Sequence, residues 1–237
     1  MVWTLIKNKI THMAKHARHV FIILFLLSSN LLSQDSKNLT AYLTPEFKIT
    51  FNQTYGKKSS ELLTQWIRLM SDHEQKDDWH KMRLVNHFFN KKITFVDDIV
   101  HWKEEDYWAT PFEFIGTKGG DCEDFALAKY FTLKAMGVEP DKMRLMYVRA
   151  LAINQPHMVL IYSEEIDQMP LVLDNINPRI LPANQRRDLK PIYSFNGDGL
   201  WLAKAKGLGK QVKGKGGVSR WEDIVTRIER TEFKVNK

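Results

Sequence analysis

A sharply bounded helix followed by three strand-like segments limits the folds that this chain can adopt. The helix is predicted over residues 121–136. Gly137 ends it, because glycine readily adopts the left-handed conformation that follows a helix, and Pro140 prevents its continuation. The strand-like segments follow at residues 143–150, 157–162 and 171–174. The last two are separated by a connection of hairpin length, which favours antiparallel pairing.

Two amphipathic helices are predicted upstream. The first opens at Ser59 or Ser60, either of which is a suitable cap, and the second covers 78–91. A short strand is expected at 93–96, and the aromatic-rich stretch 97–118 is expected to be a loop. Two further elements are predicted downstream, a strand within 193–202 and a charged helix at 220–230. Helices followed by antiparallel strands indicate an α+β fold.

The first 33 residues differ in composition from the rest, with four basic and no acidic residues. The unbroken apolar run from Val20 to Leu27 rises only about 12 Å as a helix, whereas a bilayer core is about 30 Å thick. A basic segment, a short apolar run and small polar residues predict a secretory signal peptide. A signal anchor and a buried N-terminal helix are the alternatives. We expect no transmembrane domain in the exported protein.

The chain is therefore divided into a signal peptide or signal anchor at 1–33, a polar N-terminal arm at 34–58 and one domain at 59–237. The full chain has a net charge of +7, and four of its positive charges lie in the leader. The exported part is only mildly basic. Its charge gives no argument for nucleic acid as a partner.

A single cysteine, Cys122, lies in the first turn of the predicted helix, directly after Gly119, Gly120 and Asp121. One cysteine excludes an intramolecular disulfide, so a packed core must stabilise the fold. A helix N-terminus favours thiolate over thiol and offers N–H groups to an oxyanion. The glycines are expected to allow a sharp turn and an accessible thiol. The alternative is a buried, inert cysteine.

His157 and Asp174 complete a candidate triad. His157 begins a strand 35 residues after Cys122, a separation that allows the chain to return to the helix N-terminus. A thiolate enzyme needs an imidazole to protonate the leaving group. Asp174 ends the next strand, from which it can orient the imidazole, and Asn175 is a rival for that role. Each residue also has a structural interpretation, as a core or turn side chain.

The acidic residues Asp121, Glu123 and Asp124 crowd around the cysteine. They suit the helix dipole, but they oppose a thiolate. A hard cation with oxygen ligands, most plausibly calcium in an exported protein, would neutralise them. Simple capping acids are the alternative.

Several segments together resemble the bacterial transglutaminase-like cysteine proteinases of the LapG type. They lie within residues 60–202, at 106–111, 119–133, 156–160, 171–175 and 193–196. The resemblance implies a papain-like fold, with N-terminal helices packed on an antiparallel sheet. It implies Cys122 as nucleophile, His157 as base and Asp174 as its orienter. It also implies calcium bound by Asp121 and Glu123, with Asp124 as a weaker addition.

The family's activity gives a functional expectation. Its members are periplasmic and cut a large RTX-type biofilm adhesin near its N-terminus, at a pair of alanines. A LapD-type inner-membrane receptor that senses cyclic di-GMP sequesters them. Trp102 or Trp108 is a candidate docking side chain, with core packing or cleft lining as the alternative. The Lys/Gly-rich segment 203–217 is expected to be a solvated loop, or else to contact an anionic surface or partner.

Two other functions fit the same residues. A transglutaminase or a cell-wall peptide amidase would use the same triad and the same acyl-enzyme. A non-catalytic binding module would leave the thiol inert.

Overall fold

The computed structural model describes residues 39–165, 167–203, 209–214 and 218–235. The predicted signal peptide and the first residues of the N-terminal arm lie outside the described residues. None of the helices in the described ranges is long and apolar enough to cross a membrane.

The described chain forms seven α-helices and nine strands. The helices are α1 (Pro45–Tyr55), α2 (Lys57–His73), α3 (Asp78–Lys92), α4 (Asp98–His101), α5 (Pro111–Thr117), α6 (Cys122–Ala135) and α7 (Ser219–Glu229). The strands are β1 (Thr94–Phe95), β2 (Gly119–Gly120), β3 (Met143–Ala150), β4 (Gln155–Tyr162), β5 (Leu171–Leu173), β6 (Leu181–Pro182), β7 (Leu189–Asn196), β8 (Gly199–Leu202) and β9 (Lys210–Lys213). Short 3₁₀ turns occur at Leu39–Tyr42, Pro140–Lys142 and Ala183–Gln185.

Seven of the strands form one antiparallel sheet in the order β6-β5-β4-β3-β7-β8-β9. The three strands predicted after the central helix are confirmed as β3, β4 and β5. The β4–β5 pairing joins Leu160 to Leu173, so the chain that follows β5 runs back toward the start of β4. The α+β prediction is confirmed, with the helices preceding most of this sheet in the chain.

Helix α6 lies at the centre of the core and packs against β4 and α3. Eleven of its 14 residues are buried, which is expected of a helix that is apolar on most of its faces. Gly137 follows it with a φ of 83°, a left-handed conformation that glycine adopts without a steric penalty. The predicted end of this helix is therefore confirmed.

The segment expected to be a polar arm contains a helix. Helix α1 starts at Pro45, with the Thr44 hydroxyl accepting a hydrogen bond from the N–H of Phe47. Phe47 and Phe51 are both buried in the main core. The segment is mostly polar, so its composition did not predict a helix. Phe47 and Phe51 are nevertheless four positions apart and therefore share one helix face.

Two further local predictions were wrong. Helix α2 begins at Lys57 after Gly56, and the Ser59 hydroxyl donates to the carbonyl of Gly116 instead of capping the helix. The stretch predicted as a loop at 97–118 contains α4 and α5. Helix α5 starts with the Thr110–Glu113 capping box and has Pro111 in its first turn, a position where proline starts a helix.

The Lys/Gly-rich segment is only partly described. Residues 210–213 form β9, which pairs with β8 at the edge of the sheet, whereas the prediction was a loop throughout. Residues 204–208 and 215–217 lie outside the described residues.

Candidate active site

Strand β2, which lies just before α6 in the chain, pairs in parallel with β1. This pairing positions Cys122 at the start of α6. The two glycines of β2 are required for close packing. A Cβ on Gly120 would clash with Asp124 Oδ2 and the Phe114 ring, and one on Gly119 would lie 2.8 Å from the His101 ring. Neither glycine has a positive φ, so the expected sharp turn is not their role.

His157 and Asp174 are joined directly. His157 Nε2 lies 2.8 Å from Asp174 Oδ1, and both side chains are buried. Because Asp174 engages Nε2, proton exchange with a substrate or thiol would use the other ring nitrogen, Nδ1. The structure thus pairs the two residues that the sequence predicted as base and orienter.

Arg186 is a third member of this group that the sequence did not predict. Its Nη2 donates to Asp174 Oδ2 at 2.6 Å, and the Ile176 N–H donates to Asp174 Oδ1 at 2.9 Å. Burial alone would raise the pKa of Asp174, but the hydrogen bonds and charges of His157 and Arg186 outweigh it. The pKa of Asp174 is held well below its ordinary range, so this carboxylate stays ionised.

The rival Asn175 does not contact the imidazole through a hydrogen bond. It lines the cleft beside Asp174, and its Oδ1 is buried without a hydrogen-bond partner among the described residues. The geometry therefore favours Asp174 as the partner of His157.

Replacing Arg186 with alanine is expected to lower the free energy of unfolding by about 3–5 kcal/mol, because a buried carboxylate loses its permanent cation. Asp174 has a depressed pKa, so its contribution is complete above the unfolded pKa of about 4 and is lost as pH falls further. The difference in free energy of unfolding between wild type and R186A should therefore become smaller below about pH 4. Urea unfolding at a series of pH values measures both effects.

The neighbouring Arg187 gives the matched control. Arg187 is exposed, so R187A is expected to change the free energy of unfolding by less than about 0.5 kcal/mol. The role of Arg186 would be contradicted if R186A and R187A lowered the free energy of unfolding equally. It would also be contradicted if the difference between wild type and R186A did not depend on pH.

Cys122 and His157 line one cleft, with a volume of about 1200 Å³. Its walls include Trp108, and also Tyr147 and Tyr193, whose rings stack at 5.2 Å. Trp108 is only 8% exposed and stacks on Phe195, and Trp102 is also buried. The expectation of an exposed docking tryptophan at either position was wrong, and the alternative of packing and cleft lining describes them.

The thiol of Cys122 has an acidic environment. Its Sγ lies 3.0 Å from Glu123 Oε2. Burial, followed by the negative charges of Glu123 and Asp121, raises the pKa of Cys122 well above its ordinary value. The conflict expected from the sequence, between a thiolate and its flanking acids, is present in the structure.

The same carboxylates also repel one another. Burial and the charges of Glu123 and Asp124 raise the pKa of Asp121 to about 11. Burial, and then the charge of Glu123, likewise raises the pKa of Asp124, and burial raises the pKa of Asp98 to about 6. Without a compensating positive charge, this cluster cannot be fully ionised near neutral pH.

The cluster has the composition of a site for a hard cation. Oxygens of Asp98, Asp121 and Asp124 lie within 4.8 Å of one another, and so do those of Asp98, Asp106 and Glu123. Asp98 Oδ1 and Asp121 Oδ1 are buried without a hydrogen-bond partner among the described residues. Unpaired carboxylate oxygens of this kind are the ligands that calcium prefers.

Asp124 is less available than the other predicted ligands. Its Oδ1 accepts the Ala109 N–H at 2.6 Å and its Oδ2 accepts the Asp121 N–H at 3.3 Å. Both oxygens therefore fix backbone around the helix start. Asp98 and Asp106 were missed by the sequence analysis, although the dense run of acids at 97–106 was a signal for them.

The C-terminal segment holds the loop that carries Asp106. Arg220 Nη2 lies 2.7 Å from Asp106 Oδ2, and Arg227 Nη1 lies 2.9 Å from the buried Glu113 carboxylate. The Tyr107 hydroxyl donates a hydrogen bond to the Glu113 carboxylate. The backbone N–H of Tyr107 donates to Asp98 Oδ2 at 2.5 Å. Helix α7 thus holds the segment that carries Asp106 in place through Arg220 and Arg227.

Comparison with known proteins identifies the family. Residues 49–188 match the family model described as bacterial transglutaminase-like cysteine proteinase. The chain is similar to calcium-bound LapG of Legionella pneumophila, with 39% identity and a TM-score of 0.67 over 77% of this chain and 98% of that one. EGTA-treated LapG from the same organism gives 38% identity and a TM-score of 0.68, over 77% and 96% of the two chains.

A search of curated proteins finds no match. The family model nevertheless spans more than half of the chain, and the similarity to LapG covers nearly the whole of the LapG chain in that structure. The match also confirms the transglutaminase-like protease fold. The chain therefore belongs to the bacterial transglutaminase-like cysteine proteinases and is a cysteine peptidase of the LapG type.

Proposed function

We propose that this peptidase is a calcium-dependent periplasmic endopeptidase that cleaves a large RTX-type adhesin near its N-terminus, at a dialanine site. We propose further that a LapD-type inner-membrane receptor, which senses cyclic di-GMP, controls it by sequestration. The observation that carries the proposal is the buried Asp174–His157 pair, whose imidazole lines the cleft that contains Cys122. The resemblance to LapG supports the substrate and the receptor.

Cys122 is the nucleophile in this proposal. A cysteine peptidase requires a reactive thiol, and the chain contains one cysteine. The sulfur attacks the scissile carbonyl carbon to give a tetrahedral oxyanion, which collapses to a thioester as the C–N bond breaks. The N–H groups in the first turn of α6 have no partner within the helix, so they are available to stabilise that charge.

His157 moves the protons. Its Nδ1 takes the thiol proton of Cys122 and gives it to the leaving amine as the C–N bond breaks. It then takes a proton from the water that hydrolyses the thioester and returns it to the departing sulfur. Asp174 keeps Nε2 protonated and stabilises the imidazolium, and Arg186 holds Asp174 in its ionised form. The products are a free carboxylate and a free amine.

Calcium fits the carboxylates beside the thiol. Asp121 and Glu123 would hold it, together with Asp98 and Asp106, whose oxygens lie in the same cluster. When bound, the ion supplies positive charge that offsets the repulsion among these acids and favours the thiolate. LapG of Legionella pneumophila has a calcium-bound structure and an EGTA-treated one, which supports this choice of ion.

Product analysis tests the proposal against the transglutaminase and amidase alternatives. We expect an N-terminal adhesin fragment with a dialanine site to be cut into two pieces, and mass spectrometry to find one added water across them. Replacing the alanine pair with bulky residues should prevent the cut. A cross-linked product, a deamidated glutamine or release of a cell-wall peptide would contradict the proposal and favour the alternatives.

A further inference from the structure

A second groove lies outside the cleft, between helix α3 and the chain segment 178–181. Its volume is about 770 Å³. One face of α3 contributes side chains at helical spacing, among them Arg83, His87 and Lys91, and the opposite wall carries Arg179. Asn86 Nδ2 ties the two walls together through a 2.9 Å hydrogen bond to the carbonyl of Pro178.

The groove is positively charged. Arg83, Lys91 and Arg179 carry permanent charges and are exposed, and no carboxylate is among the residues that line the groove. In the part of the chain that the structure describes, these three side chains form no ion pair. Their charges are therefore available to a partner.

An apolar surface lies beside these charges. Trp79 is 47% exposed at the groove, and Leu84, Ile180 and Leu181 also contribute to its lining. A half-exposed tryptophan next to unpaired cations is typical of a surface that binds polypeptide, since aromatic and arginine side chains dominate binding energy at interfaces. Such a surface would take a chain that carries both acidic and apolar side chains.

The catalytic cleft has the opposite charge. Its lining includes Asp97, Glu105, Asp106, Asp121 and Glu123, against one arginine, Arg220. An acidic segment is therefore repelled by the cleft and attracted by the groove.

The two sites are adjacent in the chain. Ile176 lines the cleft and Pro178 lines the groove, so their Cα atoms are at most about 7 Å apart. Asn90, which also lines the groove, donates to the carbonyl of the predicted catalytic Asp174 at 2.7 Å. A substrate polypeptide in the cleft can therefore reach the groove within a few residues.

We infer that the groove is a docking site for an acidic segment of the polypeptide substrate, held by Arg83, Lys91 and Arg179 while the scissile bond lies in the cleft. The inference rests on the proposed endopeptidase function. It adds a requirement that the cleft alone does not impose, namely acidic residues at a short distance from the cleavage site.

Binding is tested first, with a fluorescein-labelled hexaglutamate peptide and the otherwise intact C122A protein. Fluorescence anisotropy should show binding that weakens with added salt, and no comparable binding of hexaglutamine. The variant R83E/R179E should bind hexaglutamate roughly tenfold more weakly, because two attractive contacts become repulsive. The matched control R68E/R187E has the same charge change at exposed arginines that do not line the groove, and it should bind hexaglutamate more tightly than R83E/R179E.

Cleavage is tested second, with an adhesin fragment that carries or lacks a hexaglutamate segment next to its cleavage site. The segment should lower KM for wild type and for R68E/R187E, but not for R83E/R179E, with kcat unchanged. Equal binding of hexaglutamate by both double variants, or an unchanged KM, would overturn the inference. Absence of any cleavage by wild type would count against the proposed function alone, because peptide binding is measured without catalysis.

Discussion

Replacing Cys122 with alanine is expected to abolish peptide-bond cleavage by at least about 10⁴-fold while leaving the fold intact. Loss of the nucleophile from a cysteine or serine peptidase removes the covalent route entirely. The side chain is only partly buried, and Cys122 is the single cysteine of the chain. Cleavage of the adhesin fragment, followed by gel electrophoresis, measures the loss, and thermal unfolding measures the fold.

The single thiol also provides an internal control. Iodoacetamide should label wild type at one position and should not label C122A. His157 should support the thiolate, so H157Q is expected to slow labelling and to abolish cleavage without a large change in melting temperature. Cleavage by C122A at the wild-type rate would refute the nucleophile. Labelling of wild type that is slow near neutral pH and insensitive to H157Q would favour an inert thiol.

The sequence predicted the centre of the site better than its surroundings. The helix of Cys122 was recognisable because Gly137 and Pro140 mark its end, and the strands of His157 and Asp174 were recognisable from their composition. The contact between His157 and Asp174 follows from the antiparallel pairing of those strands. Local patterns were sufficient because His157 lies on β4 and Asp174 directly follows β5.

The parts that were missed depend on contacts that are distant in sequence. Arg186 approaches Asp174 after an irregular stretch with no periodicity, and sequence spacing carries no information about that return. Asp98 and Asp106 lie in the aromatic-rich segment that was predicted to be a loop, whereas Asp98 starts helix α4 and Pro111 occupies the first turn of helix α5. Sequence propensity describes the local conformation that a residue prefers, but it does not identify the distant residue that it contacts.

We expect calcium to have a large effect on both the stability and the activity of this protein, because of its acidic cluster. Asp121 Oδ1 and Asp98 Oδ1 are buried without hydrogen-bond partners among the described residues, and their carboxylates repel Glu123 and the sulfur of Cys122. A bound divalent cation offsets part of this negative charge and satisfies these oxygens. Binding to the folded chain alone also stabilises it by mass action.

Removing calcium with EGTA is therefore expected to lower the melting temperature and to reduce cleavage to background. Calcium at about 100 times its dissociation constant contributes about 2.7 kcal/mol, which corresponds to roughly 5–10 °C for a domain of this size. Magnesium should restore less of the melting temperature and activity, because it demands a stricter octahedral geometry.

The variant D121N keeps a helix cap but should lose most of the calcium-induced shift in melting temperature. The control D72N changes an exposed acid of helix α2 outside the cluster, and it should keep that shift. Identical melting curves and cleavage rates in EGTA and in calcium would contradict a calcium site beside Cys122.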